Sequence, residues 1–414
     1  MKSLFNKKIL VYSLCVFSLF VSLIIGENST GGAKGDALKV QQYIDAFIDN
    51  NFYGFQYIIN TAEVHFPFFY LLIANLIKFF GDIYVKIFYV LISSLIPFFF
   101  YKSLSKIYKN YINIDYLFYF SLIIFFSPNL RSSAAWITND NLATLFFILS
   151  VYYFVLVNEE KNQQKKLFCV YFCFFYLILS SYIRPYYCVF YLYFLIFLLK
   201  KLDFINIFYI FIFKFILSLP ALLYVFYLLK FRNSTDINTS STFFQVDYIY
   251  NYLVFSSLYL FYFISYMIVD YKEIYSLKLK NKKKLIFILI IFFILLFNFY
   301  SIPTVSAGGG IFYKLSKILY LNLFYSFSFL GTLFLILLNK NNLNNILLFF
   351  ILIFCFPFGR IVQKYYDPLI LIVFLILVHS EFLNSFFRNL NKTKIFFIYS
   401  YFLSFLIFVN FYYR

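Results

Sequence analysis

Few side chains in this sequence suit chemistry, and they gather in the segments between apolar runs. The stretch 26-GENSTGGAKGDALKVQQYIDAFIDN-50 sets Asp36 behind Gly31, Gly32 and Gly35, a turn that can present a carboxylate. Such a carboxylate can take the proton of an attacking hydroxyl. It can equally be the N-cap of an amphipathic helix starting at Ala37, with Leu38, Tyr43, Ala46 and Phe47 as its apolar stripe. His65 stands in 63-EVHFPFFYLL-72, either as a substrate-binding imidazole or as the hydrogen-bonded corner of a turn before proline. The segment 127-SPNLRSSAAWITNDNLATLFF-147 collects Arg131, Trp136, Thr138, Asn139 and Asp140. An arginine and an aspartate there suit a phosphate and a sugar, while a belt tryptophan and a Thr-Asn-Asp helix cap explain the same residues structurally. Arg184 lies between two apolar runs, and Arg360 and Lys364 lie in 359-GRIVQKYYDP-368 between two others. Cations in such places are costly unless paired or near water. They either form a site for an anionic headgroup or snorkel to lipid phosphates. Arg360 and Lys364 are one helical turn apart, and Tyr366 beside them can stack on a sugar or serve as a belt aromatic.

Other chemistries lack their residues. No GxxxxGKS, HExxH, GxSxG or paired CxxC occurs. The five cysteines lie inside apolar runs; Cys169 and Cys173 are a turn apart without the further ligands a zinc site needs. ATP-driven and standard metallohydrolase chemistry therefore lacks support, and no cofactor is expected.

The elements that must position these residues are membrane helices. Apolar residues make up 63% of the chain and charged residues 13%, against about 45–50% and about 25% in soluble domains. That composition excludes soluble enzymes, disulfide scaffolds and disordered hubs. The net charge of +18 sits mainly in short loops between apolar runs, as membrane topology requires, so nucleic acid is not the expected partner. Residues 9–26 form the first run, and counting onward predicts an all-α polytopic bundle of about thirteen spans as a single domain over 1–414. The run 66–80 decides the topology. It holds Lys78 and is short, so it reads as an interfacial helix within a long first outer loop, 27–83. Most of the 35 basic residues then face the cytoplasm, the N-terminus is inside, and every candidate above faces outward.

With that topology the chain resembles the GT-C superfamily of integral-membrane glycosyltransferases, which use polyprenyl-phosphate sugars, and within it the protein-mannosyltransferase and aminoarabinose-transferase type. The matching features are Gly35-Asp36 after the first span, a following helix with Tyr43 and Asp45, and His65-Phe66-Pro67-Phe68-Phe69-Tyr70 in place of a His-Pro-Pro-Leu-Tyr-like element. Ser127-Pro128, Arg131 and Thr138-Asn139-Asp140 match a third element, and Lys364-Tyr365-Tyr366-Asp367-Pro368 a fourth. Phe66 replaces the first proline of the second element, and Gly35 replaces an acidic residue of the first. The resemblance implies sugar transfer from a polyprenyl-phosphate donor to a glycan, lipid or protein on the outer face of a bacterial inner membrane. It implies Asp36 as the base, Arg360, Lys364, Arg131 and Arg184 around the donor phosphate, and Asp140, Asn139, Tyr43, His65 and Tyr366 around acceptor and sugar, without a metal. The competing class is a transporter or flippase of a lipid-linked solute, which ordinarily shows matched halves and helices broken at mid-membrane. Matched halves are not evident, and the glycines and prolines cluster in outer loops.

Overall fold

The computed structural model describes the chain except for residues 1, 62, 64, 110–113, 200, 235–246, 277–281, 305–307, 357–360 and 414. Among the described residues every regular element is a helix. A bilayer offers no water to backbone polar groups, so an apolar chain satisfies them internally by coiling. Seven helices are long and apolar enough to cross a membrane, and an eighth crossing results if Gln363–Leu377 and Glu381–Arg388, which meet at 88°, count as one span. Those seven correspond to seven of the runs counted from the sequence. Others of those runs form apolar helices of 10–17 residues, which rise only roughly 15–25 Å against a hydrocarbon core of about 30 Å.

The described chain divides into two compact units, Met1–Ile107 with Leu117–Asn238 and Phe402–Arg414, and Tyr108–Tyr116 with Thr239–Tyr401. The first unit opens with α1 (Lys2–Ile25), then the surface helices α2 (Ala33–Asp49) and α3 (Asn51–Asn60). The Asn50 side chain accepts from the Phe52 amide at 2.8 Å and starts α3 directly after α2 ends. The start of α2 differs from the sequence expectation: Gly32 is its N-cap, and Asp36 lies within the first turn. Asn28 Oδ1 accepts from the Lys34 amide at 3.3 Å near that end, and the Asp36 carboxylate faces the positive end of the helix dipole. Its buried stripe is Ala33, Val40, Ile44, Ala46 and Phe47, with Leu38 exposed.

Helix α4 (Phe68–Phe80) follows Pro67 and stops at Gly81, whose φ of 85° lets the chain turn at once into α5 (Asp82–Ile107). Thirteen residues rise about 20 Å, too little for a crossing. Helix α6 (Ile114–Ser121) runs into a 3-10 turn, Leu122–Phe126. Ser127 Oγ accepts from the Leu130 amide at 3.0 Å and caps α7 (Pro128–Trp136). Ile137, left-handed at φ 48°, redirects the chain into α8 (Asn139–Glu159). Helix α9 (Gln163–Ile183) packs back along α8, with Ser150 donating to the Cys173 carbonyl and Ser180 to the Ala143 carbonyl, each at 2.8 Å. Helices α10 (Phe190–Leu199) and α11 (Phe204–Ser234) complete this part.

The second unit comprises α12 (Tyr248–Val269), α13 (Tyr271–Ser276), α14 (Lys283–Phe299), α15 (Gly310–Leu319), α16 (Leu323–Leu338), α17 (Leu343–Phe354), α18 (Leu369–Ile372) and α19 (Glu381–Arg388). The last helix, α20 (Lys392–Tyr412), starts in this unit and ends in the first. Helices α12 and α16 approach closely because α16 offers small residues there. A Cβ on Gly331 would stand 1.9 Å from the Ser256 carbonyl oxygen, while Ser328 Oγ donates to the Leu253 carbonyl at 2.9 Å. Gly331→Ala should therefore lower stability by about 1–3 kcal/mol, the usual cost of overpacking, despite alanine's better helix propensity. Denaturant titration in detergent measures this, and an unchanged midpoint would contradict the close approach.

Candidate functional site

The first unit holds two buried acid–arginine pairs. In one, Arg131 Nε donates to both oxygens of Glu27 at 3.1 and 2.9 Å. Its amino groups reach Ser18 Oγ at 3.1 Å, Ser22 Oγ at 2.6 Å and the Ser18 carbonyl at 3.3 Å. Glu27 is 4% exposed. It also accepts from Asn410 Nδ2 at 3.2 Å, and its carbonyl accepts from the Trp136 indole at 3.0 Å. The guanidinium that the resemblance assigns to the donor phosphate is thus engaged by the chain itself, binding α1, α7 and the end of α20. Trp136 shares in that clamp.

The other pair extends into a line of four side chains. Arg184 is the C-cap of α9, held extended before Pro185 as residues preceding proline are. Asp140 lies in the first turn of α8, 4% exposed. One amino group of Arg184 meets Asp140 Oδ1 at 2.5 Å, and the other lies 3.0 Å from His65 Nε2. On the far side of the ring, His65 Nδ1 contacts Glu63 Oε1, and the His65 amide donates to the same oxygen at 3.2 Å. The Tyr224 hydroxyl donates to the Glu63 carbonyl at 2.7 Å, and the Tyr43 hydroxyl bonds to the Glu63 side chain. Tyr43 also packs on Tyr70, ring centroids 4.9 Å apart. Asn139, buried, adjoins Asp140 at the start of α8.

A guanidinium only donates. His65 Nε2 is therefore the acceptor, and the ring proton sits on Nδ1, donated to Glu63. Burial, the largest influence, raises the Glu63 carboxyl, but the hydrogen bonds and electrostatic attraction of the His65 N–H groups together outweigh it and hold the group below the ordinary carboxylate range. Its ionised form thus stabilises the fold above the ordinary glutamate value near 4.3, and that contribution is lost as pH falls through the lower folded value. Burial, foremost, pushes the Tyr43 hydroxyl up to about 12.

The structure thus brings together Tyr43, His65, Asp140 and Arg184, with Asn139 the chain neighbour of Asp140. It adds Glu63, which stands in the quoted 63-EVHF segment but was not singled out. An acid two residues before a histidine, ahead of a proline turn, was the available signal. Asp36, half-buried, stands two turns before Tyr43 on the same face of α2, roughly 10 Å along the axis. Lys364 and Tyr366 belong to the second unit. The Lys364 ammonium lies 5.7 Å from the Tyr365 ring centroid, and the fully buried Tyr366 donates to the Leu352 carbonyl at 2.7 Å. Arg360 falls outside the described residues. Among the described residues no three His, Cys, Asp or Glu side chains are grouped to hold a metal.

A cleft of about 420 Å³ is lined in part by α2, which also carries Tyr43, and by α4. Leu23, Val40, Ile44, Ile73, Ile77 and Trp136 supply apolar walls, and Lys34, Asp82 and Lys86 are among its polar members. Lys86 pairs with Asp82 at 2.5 Å, and the Lys34 ammonium lies 5.9 Å from the Trp136 ring. Next to it, Ile24, Ile25, Phe79, Phe80, Ile83 and Tyr84 are exposed, as a bilayer-facing rim requires. No protein-family model, characterised protein or solved structure matches the chain.

Proposed function

We propose that this membrane protein is a glycosyltransferase that moves a sugar from a polyprenyl-phosphate donor to a glycan, lipid or protein acceptor, with inversion, on the extracytoplasmic face. The proposal includes thirteen crossings with the N-terminus inside. The observation that carries it is the array itself: Tyr43, His65, Asp140 and Arg184, drawn from distant segments, meet where one cation adjoins several sugar-type hydrogen-bonding groups. Arg184 receives the donor phosphate, because a guanidinium pairs with phosphate more strongly than with a neutral ring. Asp140, Asn139 and Tyr43 address hydroxyls. The apolar cleft beside α2 and α4 suits an isoprenoid chain. Asp36 takes the acceptor's proton as its oxygen attacks the anomeric carbon.

The test is transfer of a labelled sugar from polyprenyl-phosphate donors by the purified protein in liposomes, with the product's anomeric configuration read by NMR. An inverted product supports the reading. Movement of an intact lipid-linked sugar across the bilayer without transfer replaces it with a flippase. A reporter placed after Lys109 should be cytoplasmic, and a cysteine at Asn75 should react with an impermeant reagent from outside; the opposite result inverts the topology and removes the extracytoplasmic site.

A further inference from the structure

We propose that His65, oriented by Glu63 and uncovered when Arg184 turns to the donor, is the general acid that protonates the departing phosphate. This rests on the transferase reading above and adds a catalytic residue to it.

The argument starts from the resting array. His65 Nε2 is covered by an Arg184 amino group at 3.0 Å, and Arg184 is anchored from its other side by Asp140. A phosphodiester anion at Arg184 competes for the amino group on His65, since an anion adds charge attraction and can accept two parallel guanidinium hydrogen bonds where the ring nitrogen accepts one. Asp140 still holds the guanidinium, so the arginine pivots rather than leaves. Nε2 is then open beside the phosphate. Asp140 pairs with the guanidinium and Glu63 with the far side of the ring, so a donor anion at Arg184 adds a negative charge that a positive charge on the ring balances. Glu63, already on Nδ1, stabilises that imidazolium. The other titratable groups packed around the dyad are the hydroxyls of Tyr43, Tyr70 and Tyr224, and behind Arg184 and Asp140 those of Tyr89, Tyr186 and Tyr187. Phenols do not ionise between pH 5 and 8, whereas imidazoles do.

The step balances. The acceptor oxygen forms its bond to the anomeric carbon while the bond from that carbon to the phosphate oxygen breaks, leaving the electron pair on that oxygen. The proton on His65 Nε2 passes to it, giving a polyprenyl phosphate monoanion and a neutral ring. The acceptor's proton goes to Asp36. Exchange with water then restores both groups. Glu63 is a positioning residue, acting through the ring.

Two measurements test this on the full chain. The first is a pH–rate profile for transfer from a farnesyl-phosphate sugar by the unaltered protein, His65→Gln and Glu63→Gln. The expected result is a wild-type kcat that falls on the alkaline side through one ionisation. His65→Gln should lose about 10²–10⁴-fold in kcat with little change in donor KM, and should lack that limb. Glu63→Gln keeps a hydrogen-bonding side chain, and its limb should move to lower pH. The second is calorimetry of didodecyl phosphate binding in two buffers of different ionisation heat. This diester has no proton to exchange near neutrality, so uptake reports the protein. Uptake by the wild type, absent in His65→Gln, is expected. A His65→Gln enzyme with wild-type rate and alkaline limb, or with equal proton uptake, overturns the acid role and leaves the transferase standing. Failure of the wild type to transfer any sugar overturns the transferase reading, and the acid role falls with it.

Discussion

Arg131→Leu should destabilise the first unit by about 3–5 kcal/mol, the usual cost of removing one partner from a buried ion pair. The substitution would leave Glu27, 4% exposed, with its charge opposed only by neutral donors such as Asn410. It would also strip Ser18 and Ser22 of their shared guanidinium. Leucine fills much of the volume, so the lost charge partner and not a cavity dominates the change. Replacing Glu27 with leucine as well should recover most of the loss, because apolar groups of similar size commonly substitute for a buried pair. Unfolding midpoints of both single variants and the double variant in detergent make the comparison. Strict additivity, or an Arg131→Leu protein as stable as its parent, would show that the pair is not coupled.

Asp36→Asn should leave the protein folded and cut sugar transfer by about 10²–10⁴-fold, the range for loss of a general base. Asparagine keeps the shape of the side chain. The first turn of α2 does not depend on Asp36 as its cap, since Gly32 takes that place and Asn28 accepts from Lys34. The substitution gives up a charge–dipole contact at the helix start worth about 0.3–1 kcal/mol. An unchanged melting profile with near-normal turnover would remove Asp36 from the base role and direct attention to Asp45 or Asp140.

The long helices were legible in the sequence because hydropathy reports directly on the bilayer. The short ones were not, because an apolar run gives its own length but not the residue where the chain turns. Gly81 and Ile137 make such turns at positive φ, and only the glycine is an obvious candidate. The array was half legible. His65, Asp140 and Arg184 have unusual side chains for their places and stand out singly. Their pairing does not, since His65 and Arg184 are 119 residues apart and spacing carries no signal at that distance. Glu27 and Glu63 escaped for a related reason: an acid at the end of a span reads as ordinary loop polarity until its cation is located. The helix start at Gly32 was misplaced because Gly35 looks like a breaker, yet one glycine inside a first turn costs only about 1 kcal/mol.

The way α20 leaves one unit and finishes in the other has a consequence for biosynthesis. Asn410 meets Glu27 across 383 residues, and the Tyr413 ring lies where a Cβ on Gly31 would be, 2.2 Å from it. Everything in the second unit between residues 239 and 401 is made before that contact can form. At about 5–20 residues per second, Glu27 waits roughly 20–80 s after it is made before Asn410 arrives. The first unit must therefore pass through the insertion machinery with its opening helix unsealed. Ribosome stalling within the second unit would expose that seam to proteolysis, although the bonds at stake all belong to the first.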